Sequence, residues 1–234
     1  MVEVANRENI EITKAGPLNE GRKIFLQMRL PDAKVGNDTL SRYITGLNSH
    51  DKSTGLSVGV GNTVASCTNK FYQFNKKNQI RMRHTASLEE NLQHLPQLIK
   101  TVMKSELELI ETFKRLADTR VSMNFVNDVM VKFTGVDTSL SPTQAEKKYS
   151  TKKLNIAQNL AESINEEMKG KGQTLWGLWN GITHYTNHKK SVPRRHNARI
   201  EALMCGTHND MNNQALAMCV KKIPAKTVHS FTFN

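Results

Sequence analysis

The chain has 234 residues, of which 38% are hydrophobic and 23% are charged, and it carries a formal net charge of +12. This composition is too apolar for a disordered tail. With a mean hydropathy of −0.52 and no apolar run of about 18 residues, it is also too polar for a membrane-spanning chain. The first residues lack the apolar stretch of a signal peptide, and three widely spaced cysteines predict no disulfide framework, so we expect a cytoplasmic location.

The first ninety residues predict antiparallel strands joined by short turns. Period-two alternation over 22–30 predicts a half-buried strand, joined to a strand over 8–13 by a loop that contains Gly16, Pro17 and Gly21. Pro31 is expected to end the second strand. Further short strands are predicted over 43–48, 56–60, 63–68 and 79–84.

From Ser87 onwards the pattern becomes helical. Apolar residues recur every three or four positions over 87–118, and Pro96 is expected to kink or divide this helix. Helices are also predicted over 121–132, from the Ser141 cap to about 169, and from the Thr174 cap to about 188. The segment from Ala198 onwards is predicted as helix or irregular structure, with 211–222 as the favoured helical piece.

These patterns predict one α+β domain over residues 1–234. Its parts are an N-terminal antiparallel sheet with hairpins (8–86), a predominantly helical half (87–188), and a basic loop with a C-terminal segment (189–234).

Positive charge is concentrated in two windows that contain no acidic residue. Residues 52–88 hold six Lys and Arg side chains, and residues 168–200 hold seven. A solvated surface normally mixes both signs, so these windows indicate a face that meets a polyanion. Ten of these side chains are predicted to contact nucleic-acid phosphates: Lys70, Lys76, Lys77, Arg81, Arg83, Lys189, Lys190, Arg194, Arg195 and Arg199.

Two short polar motifs allow a structural and a functional interpretation. The Asn48–Asp51 segment follows a predicted strand, where such side chains usually build a tight turn, although they could also touch a phosphate or a metal. Arg81 and Arg83 would share one face of a strand. There their guanidinium groups suit phosphate oxygens, or they protect a solvated edge.

Sequence signatures of an enzyme are missing. There is no phosphate-binding glycine loop, nucleophile elbow or paired-carboxylate motif, so we expect no catalytic residue and no cofactor. His184 and His188 share a helix face, but no third metal ligand accompanies them, and no metal is expected. Trp176 is expected in the core, with base stacking as the alternative. A nuclease that uses His50, Asp51 and His84 is the less favoured reading.

Four motifs, taken in order, resemble a phage- and plasmid-borne family of unknown function, whose members carry NSHDGS, CxN, RHT and TLWGxxNAVTEYxDH. The corresponding segments here are residues 43–51, 64–69, 80–85 and 174–188. The chain departs from the pattern at Lys52, where the family tends to have glycine, at Gly181, where alanine is usual, and at His184, where an acid is common. If that acid were catalytic in the family, this chain would lack it.

The polar residues of these motifs form a candidate cluster: Asn48, Ser49, His50, Asp51, Asn69, His84, Thr85, Trp176, Asn180, His184 and His188.

The resemblance implies a setting of mobile elements, replication and recombination. Together with the charge pattern, it leads us to expect a phage or plasmid protein that binds nucleic acid in the host cytoplasm. Single-stranded DNA is the favoured ligand, bound in an annealing- or mediator-like role, and no membrane is expected as a partner. A sheet followed by a long helix is also similar in outline to single-strand annealing proteins, which assemble as rings.

The alternative is a host-takeover or anti-defence factor that binds an acidic host protein. The choice between DNA and RNA, the sequence preference and self-association into a homo-oligomer stay open.

Overall fold

Six antiparallel strands make up the sheet of the N-terminal part in a computed structural model, which describes residues 2–7, 10–53, 55–64, 70–73, 80–83 and 93–224. The strands lie side by side in chain order from β1 to β5. Strand β6 pairs with β4, as β5 does. Their bounds are β1 Ile12–Leu18, β2 Lys23–Val35, β3 Asp38–Ser49, β4 Leu56–Val64, β5 Lys70–Gln73 and β6 Ile80–Met82.

Three strand predictions are wrong in detail. Gly16 and Pro17 lie inside β1, which is an edge strand and therefore tolerates a proline, and the turn to β2 falls at residues 19–22. Pro31 does not end β2, because a register shift between Leu30 and Ala33 absorbs it. The separate strands predicted over 56–60 and from residue 63 are one continuous strand, β4.

Helices follow the sheet, as predicted, and one short helix precedes it. Their bounds are α1 Val2–Arg7, α2 Leu95–Asp118, α3 Met123–Thr134, α4 Pro142–Lys148, α5 Thr151–Lys171, α6 Leu175–His184, a π-helix Tyr185–Lys189, α7 Ala198–Cys205 and α8 Thr207–Val220. The fold is thus α+β.

The helical part also corrects the sequence analysis in two places. Pro96 lies in the first turn of α2, where its missing N–H is not needed, so it does not interrupt that helix. The Ser87 cap lies outside the described residues. The helix predicted to start at Ser141 is two helices, because Tyr149 is extended between α4 and α5. The segment from Ala198, predicted as helix or irregular structure, is helical and holds α7 as well as α8.

Helices cover both faces of the sheet, because both faces carry apolar side chains. On one face, Met28, Ile44 and Val58 pack under Leu95 and Ile99 of α2. We call this the α2 face. On the opposite face, Leu18 and Leu47 pack against Leu203 and Met204 of α7.

The largest core cluster lies where α2 meets α6. Phe113 of α2 stacks on Trp179 with 5.0 Å between ring centroids, and Trp176 lies 5.2 Å from Phe113. Gly181 is required in α6, because a Cβ at this position would collide with the backbone of Ile164 in α5. A buried ion pair between Arg42 and Glu106 fastens α2 to β3.

None of the helices within the described ranges is long and apolar enough to cross a membrane.

Candidate nucleic-acid interface

The candidate polar cluster divides between the two ends of β3. Asn48 and Ser49 are its last residues, whereas Trp176 donates its indole N–H to Asp38, the first residue of β3, with 2.7 Å between Nε1 and Oδ2. Eleven residue steps along an extended strand span roughly 35 Å. The structure therefore does not bring these two family motifs into one site. Asn69, His84 and Thr85 lie outside the described residues.

The Asn48–Asp51 segment is only partly the turn that its composition suggested, because Asn48 and Ser49 still belong to β3 and the chain bends from His50 onwards. The backbone N–H of His50 donates to the carbonyl of Arg22, and Asp51 Oδ1 accepts from the backbone of Ser53 at 3.0 Å. These hydrogen bonds from Ser53 lower the pKa of the exposed Asp51 carboxyl. His50 is also exposed. The described part of the chain contains no group of three or more His, Cys, Asp or Glu side chains placed to hold a metal ion.

The residues of the 174–188 motif are mostly buried and pair with other parts of the protein. Thr174 caps α6 by accepting from the backbone of Gly177. The Asn180 amide donates to the carbonyl of Trp176 at 2.9 Å. Trp176 is 2% exposed, so its ring lies in the core. Most of this motif thus serves packing in this fold.

His184 belongs to a line of ionisable groups that runs from the helices to the sheet. Its Nδ1 lies 3.0 Å from Glu167, whose other oxygen lies 2.7 Å from the ammonium group of Lys171. Lys171 in turn lies 3.6 Å from Asp38. The ring of His188 stands edge-on to that of His184 at 4.8 Å. Burial, the charge of His184 and the charge of Arg199 lower the pKa of His188.

The π-helix joins the two acid-free windows. The side chain of Asn187 accepts from the backbone N–H of Lys70 at 3.2 Å and donates to the Lys70 carbonyl at 2.8 Å. The side-chain amide of Asn187 thus pairs with the backbone N–H and carbonyl of Lys70 in the way that a neighbouring strand would. Residues from the 52–88 window and the 168–200 window therefore lie side by side.

Lys70 is half-buried and close to a second cation from the opposite edge of the sheet. Burial lowers the pKa of Lys70, and the charge of Lys14 on β1 lowers it further. Strands β1 and β5 are the two ends of the strand order, yet α7 contacts both of them. The sheet is therefore curled, so that its two edges approach each other around α7.

Arg81 and Arg83 continue the line of cations along the outer side of β4. Strand β5 pairs with β4 at residues 60–63, and β6 pairs at residues 56–58, so both strands lie on the same side of β4. Lys70 stands opposite Thr63 and Arg81 opposite Ser57, which separates the two cations by roughly 20 Å along the strand. Arg81 and Arg83 are exposed.

Three of the ten predicted contact residues are engaged inside the protein. Lys189 forms an ion pair with Glu162 at 2.9 Å, and Arg195 pairs with Glu201. Arg199 donates to the carbonyls of Thr186 and Lys190. Burial opposes ionisation of Glu201, but hydrogen bonds from Arg195 and Lys23 hold its pKa below the usual value.

The remaining cations are available to an anion. Within the described ranges, five basic side chains next to the joined windows form no ion pair, and we call them the basic edge: Lys14, Lys70, Arg81, Arg83 and Lys190. Arg194 is likewise exposed and without an ion pair. Lys76 and Lys77 lie outside the described residues.

Sequence reasoning missed Lys14, because it lies in a segment with balanced charge and reaches Lys70 only through the curl of the sheet. It also missed an apolar groove at the Asn48 end of the α2 face, where helix α2 begins. The groove has a volume of about 490 Å³. Strands β1 to β4 and the first residue of α2 supply most of its lining.

Residues 1–216 match the family described as a domain of unknown function, DUF932. Because the match covers most of the chain, this protein belongs to the DUF932 family. No curated protein and no solved structure matches the chain.

Proposed function

We propose that this protein binds single-stranded nucleic acid, preferentially DNA, through the phosphates that meet its basic edge, in the replication or recombination of a phage or plasmid. The observation that carries the proposal is the double hydrogen bond between Asn187 and the backbone of Lys70. It holds together two windows that contain thirteen basic residues and no acid.

Electrostatics support an anionic ligand at this place. A half-buried ammonium group such as Lys70 normally has a carboxylate partner, because burial penalises its charge. Lys70 has Lys14 as a charged neighbour, and no carboxylate within the described ranges pairs with either lysine. Phosphates beside the two ammonium groups would offset both the burial of Lys70 and the repulsion between the lysines.

The length and position of the basic edge support a chain-like ligand. Its cations extend over roughly 20 Å along β4, from the position of Lys70 to that of Arg81. One small anion would engage only part of such a row. The order of elements, an antiparallel sheet followed by the 24-residue helix α2, supports an annealing- or mediator-like role through its likeness in outline to single-strand annealing proteins.

A salt titration tests the proposal. Binding is measured for single- and double-stranded DNA and RNA of one length, on protein freed of nucleic acid. The logarithm of the binding constant should fall linearly with the logarithm of salt concentration, by about 0.7 per phosphate contacted on a single strand. Single-stranded DNA should bind most tightly. Affinity that does not change with salt would contradict the proposal.

A matched pair of double variants locates the interface. Lys14→Gln with Lys70→Gln should reduce the salt slope by about 1.4, because two phosphate contacts are lost. Lys132→Gln with Lys152→Gln removes two exposed lysines from α3 and α5, with the same change in net charge, and should leave the slope nearly unchanged. Equal effects of the two double variants would show that only net charge matters.

A further inference from the structure

None of the described residues covers the apolar groove at the Asn48 end of the α2 face. Its volume of about 490 Å³ falls within the range of small-ligand sites. Ile24, in its lining, lies near the start of β2 opposite Pro17 of the edge strand, and its large aliphatic side chain is 42% exposed. The side chains that line it are apolar apart from one amide, and include Ala15, Pro17, Ile24, Leu26, Leu56 and Leu95.

The amide in this groove belongs to Asn48, and its buried Oδ1 has no hydrogen-bond partner among the residues that the structure describes. A buried acceptor without a donor costs free energy, so the groove favours an occupant that brings an N–H group. Its apolar walls favour an occupant that is uncharged and has apolar faces. A nucleobase has both properties, because every base has apolar faces and at least one ring or exocyclic N–H donor.

The groove adjoins the basic edge across a single strand. Lys14 and Ala15 are consecutive residues of β1, so their side chains point to opposite faces of the sheet. Ala15 stands opposite Leu26 and lines the groove, whereas Lys14 stands opposite Gln27. A nucleic-acid strand that crosses this edge can place a phosphate at Lys14 and the neighbouring base in the groove.

Cations also border the end of the groove. Arg22 and Lys52 lie in the turns beside Asn48, and both are exposed and form no ion pair with the described residues. The carbonyl of Arg22 accepts from the backbone of His50, which holds the two turns together. Apolar walls with a cationic border complement a base attached to its phosphates.

We propose that the groove binds one unstacked nucleobase of the strand held by the basic edge, and that Asn48 Oδ1 accepts a hydrogen bond from its N–H group. This inference rests on the proposed function. It adds a specific site to backbone binding, because it makes affinity depend on the bases as well as on the phosphates.

Abasic oligonucleotides provide the test. An oligothymidine and an abasic strand of equal length and charge are titrated against the protein at one salt concentration. The strand with bases should bind about tenfold more tightly, as base stacking and a hydrogen bond to a protein usually provide. Asn48→Leu and Ile24→Glu should each weaken binding of the oligothymidine. Asn48→Leu should leave binding of the abasic strand nearly unchanged.

Asn124→Leu, on an exposed position of α3, is the matched control and should change neither affinity. Circular dichroism and thermal unfolding verify that each variant is folded. Salt-dependent binding that is equal for both strands would overturn the base site and leave the proposed function intact. Absence of salt-dependent binding would overturn both. A change in oligomeric state with Ile24→Glu, without a change in affinity, would make the groove an interface between copies and overturn the base site.

Discussion

The polar side chains at the two ends of β3 differ in burial and in hydrogen bonding. At the Asp38 end, the carboxylate accepts from Trp176 and lies beside Lys171, and the adjoining helices bury both partners. At the Asn48 end, His50 is exposed, and within the described part of the chain an amide oxygen has no partner and no residue covers the groove lined by aliphatic side chains.

This difference assigns separate roles to the two family motifs at the ends of β3, one in stability and one in binding. Polar groups that are buried and paired hold the helices to the sheet, so their removal should lower the free energy of unfolding. Polar groups without a hydrogen bond and apolar groups that stay exposed contribute little to the free energy of unfolding, so changing them should alter stability little. They are available to a ligand. We call the Asp38 end of β3 the closed end and the Asn48 end the open end. The closed end is therefore expected to determine stability, and the open end to determine what the protein binds.

The largest effect is expected from Trp179→Ala at the closed end. Trp179 is fully buried, stacks on Phe113 and donates its indole N–H to the carbonyl of Asn212 at 3.1 Å. Truncation of such a side chain costs about 3–5 kcal/mol. Ile24→Ala at the open end should cost less than about 1 kcal/mol, because Ile24 is already partly in water. Urea unfolding measures both, and equal losses would remove the contrast between the two ends.

A smaller loss is expected from Asn187→Leu. This change leaves the backbone N–H and carbonyl of Lys70 without their partner, which costs about 2–3 kcal/mol. Amide exchange at Lys70 should accelerate accordingly. Asn48→Leu is the control, since its Oδ1 has no hydrogen bond to any described residue, and it should leave the unfolding midpoint nearly unchanged. A midpoint for Asn187→Leu equal to that of the wild type would show that the two windows are held together by other contacts.

The smallest effect is a pH dependence from His208. Burial lowers the pKa of His208, and the charges of Lys190 and Arg199 lower it further. Below about pH 6.5 the unfolded chain takes up the proton first, so stability is complete above that pH and falls as the pH drops further.

The measurement compares urea midpoints at pH 7.5 and 5.5. His208→Gln should lose less stability between these values than the wild type, with a remaining loss from His188, whose pKa is also lowered. His196→Gln, at an exposed position, should behave as the wild type does. An equal pH dependence of His208→Gln and wild type would contradict this account.

The local pattern of the chain determined most of the elements, because their signals act over a few residues. Alternation over 22–30 placed β2, and the Ser141 and Thr174 caps were located correctly. Boundaries that depend on neighbouring strands were not predictable: Pro31 continues through β2 only because a bulge in the pairing with β3 absorbs it.

The tertiary structure alone decided which predicted site residues share a surface. Charge windows can be counted along the chain, but their contact depends on Asn187 reaching β5 across more than a hundred residues. The curl that brings Lys14 to Lys70, and the pairing of Lys189 with Glu162, likewise arise from packing between distant segments. Sequence thus determined the amount of charge and the kinds of elements, because composition and periodicity are local properties. The position of the free cations and the open groove is a property of the packed chain, since it depends on which groups the fold covers and pairs.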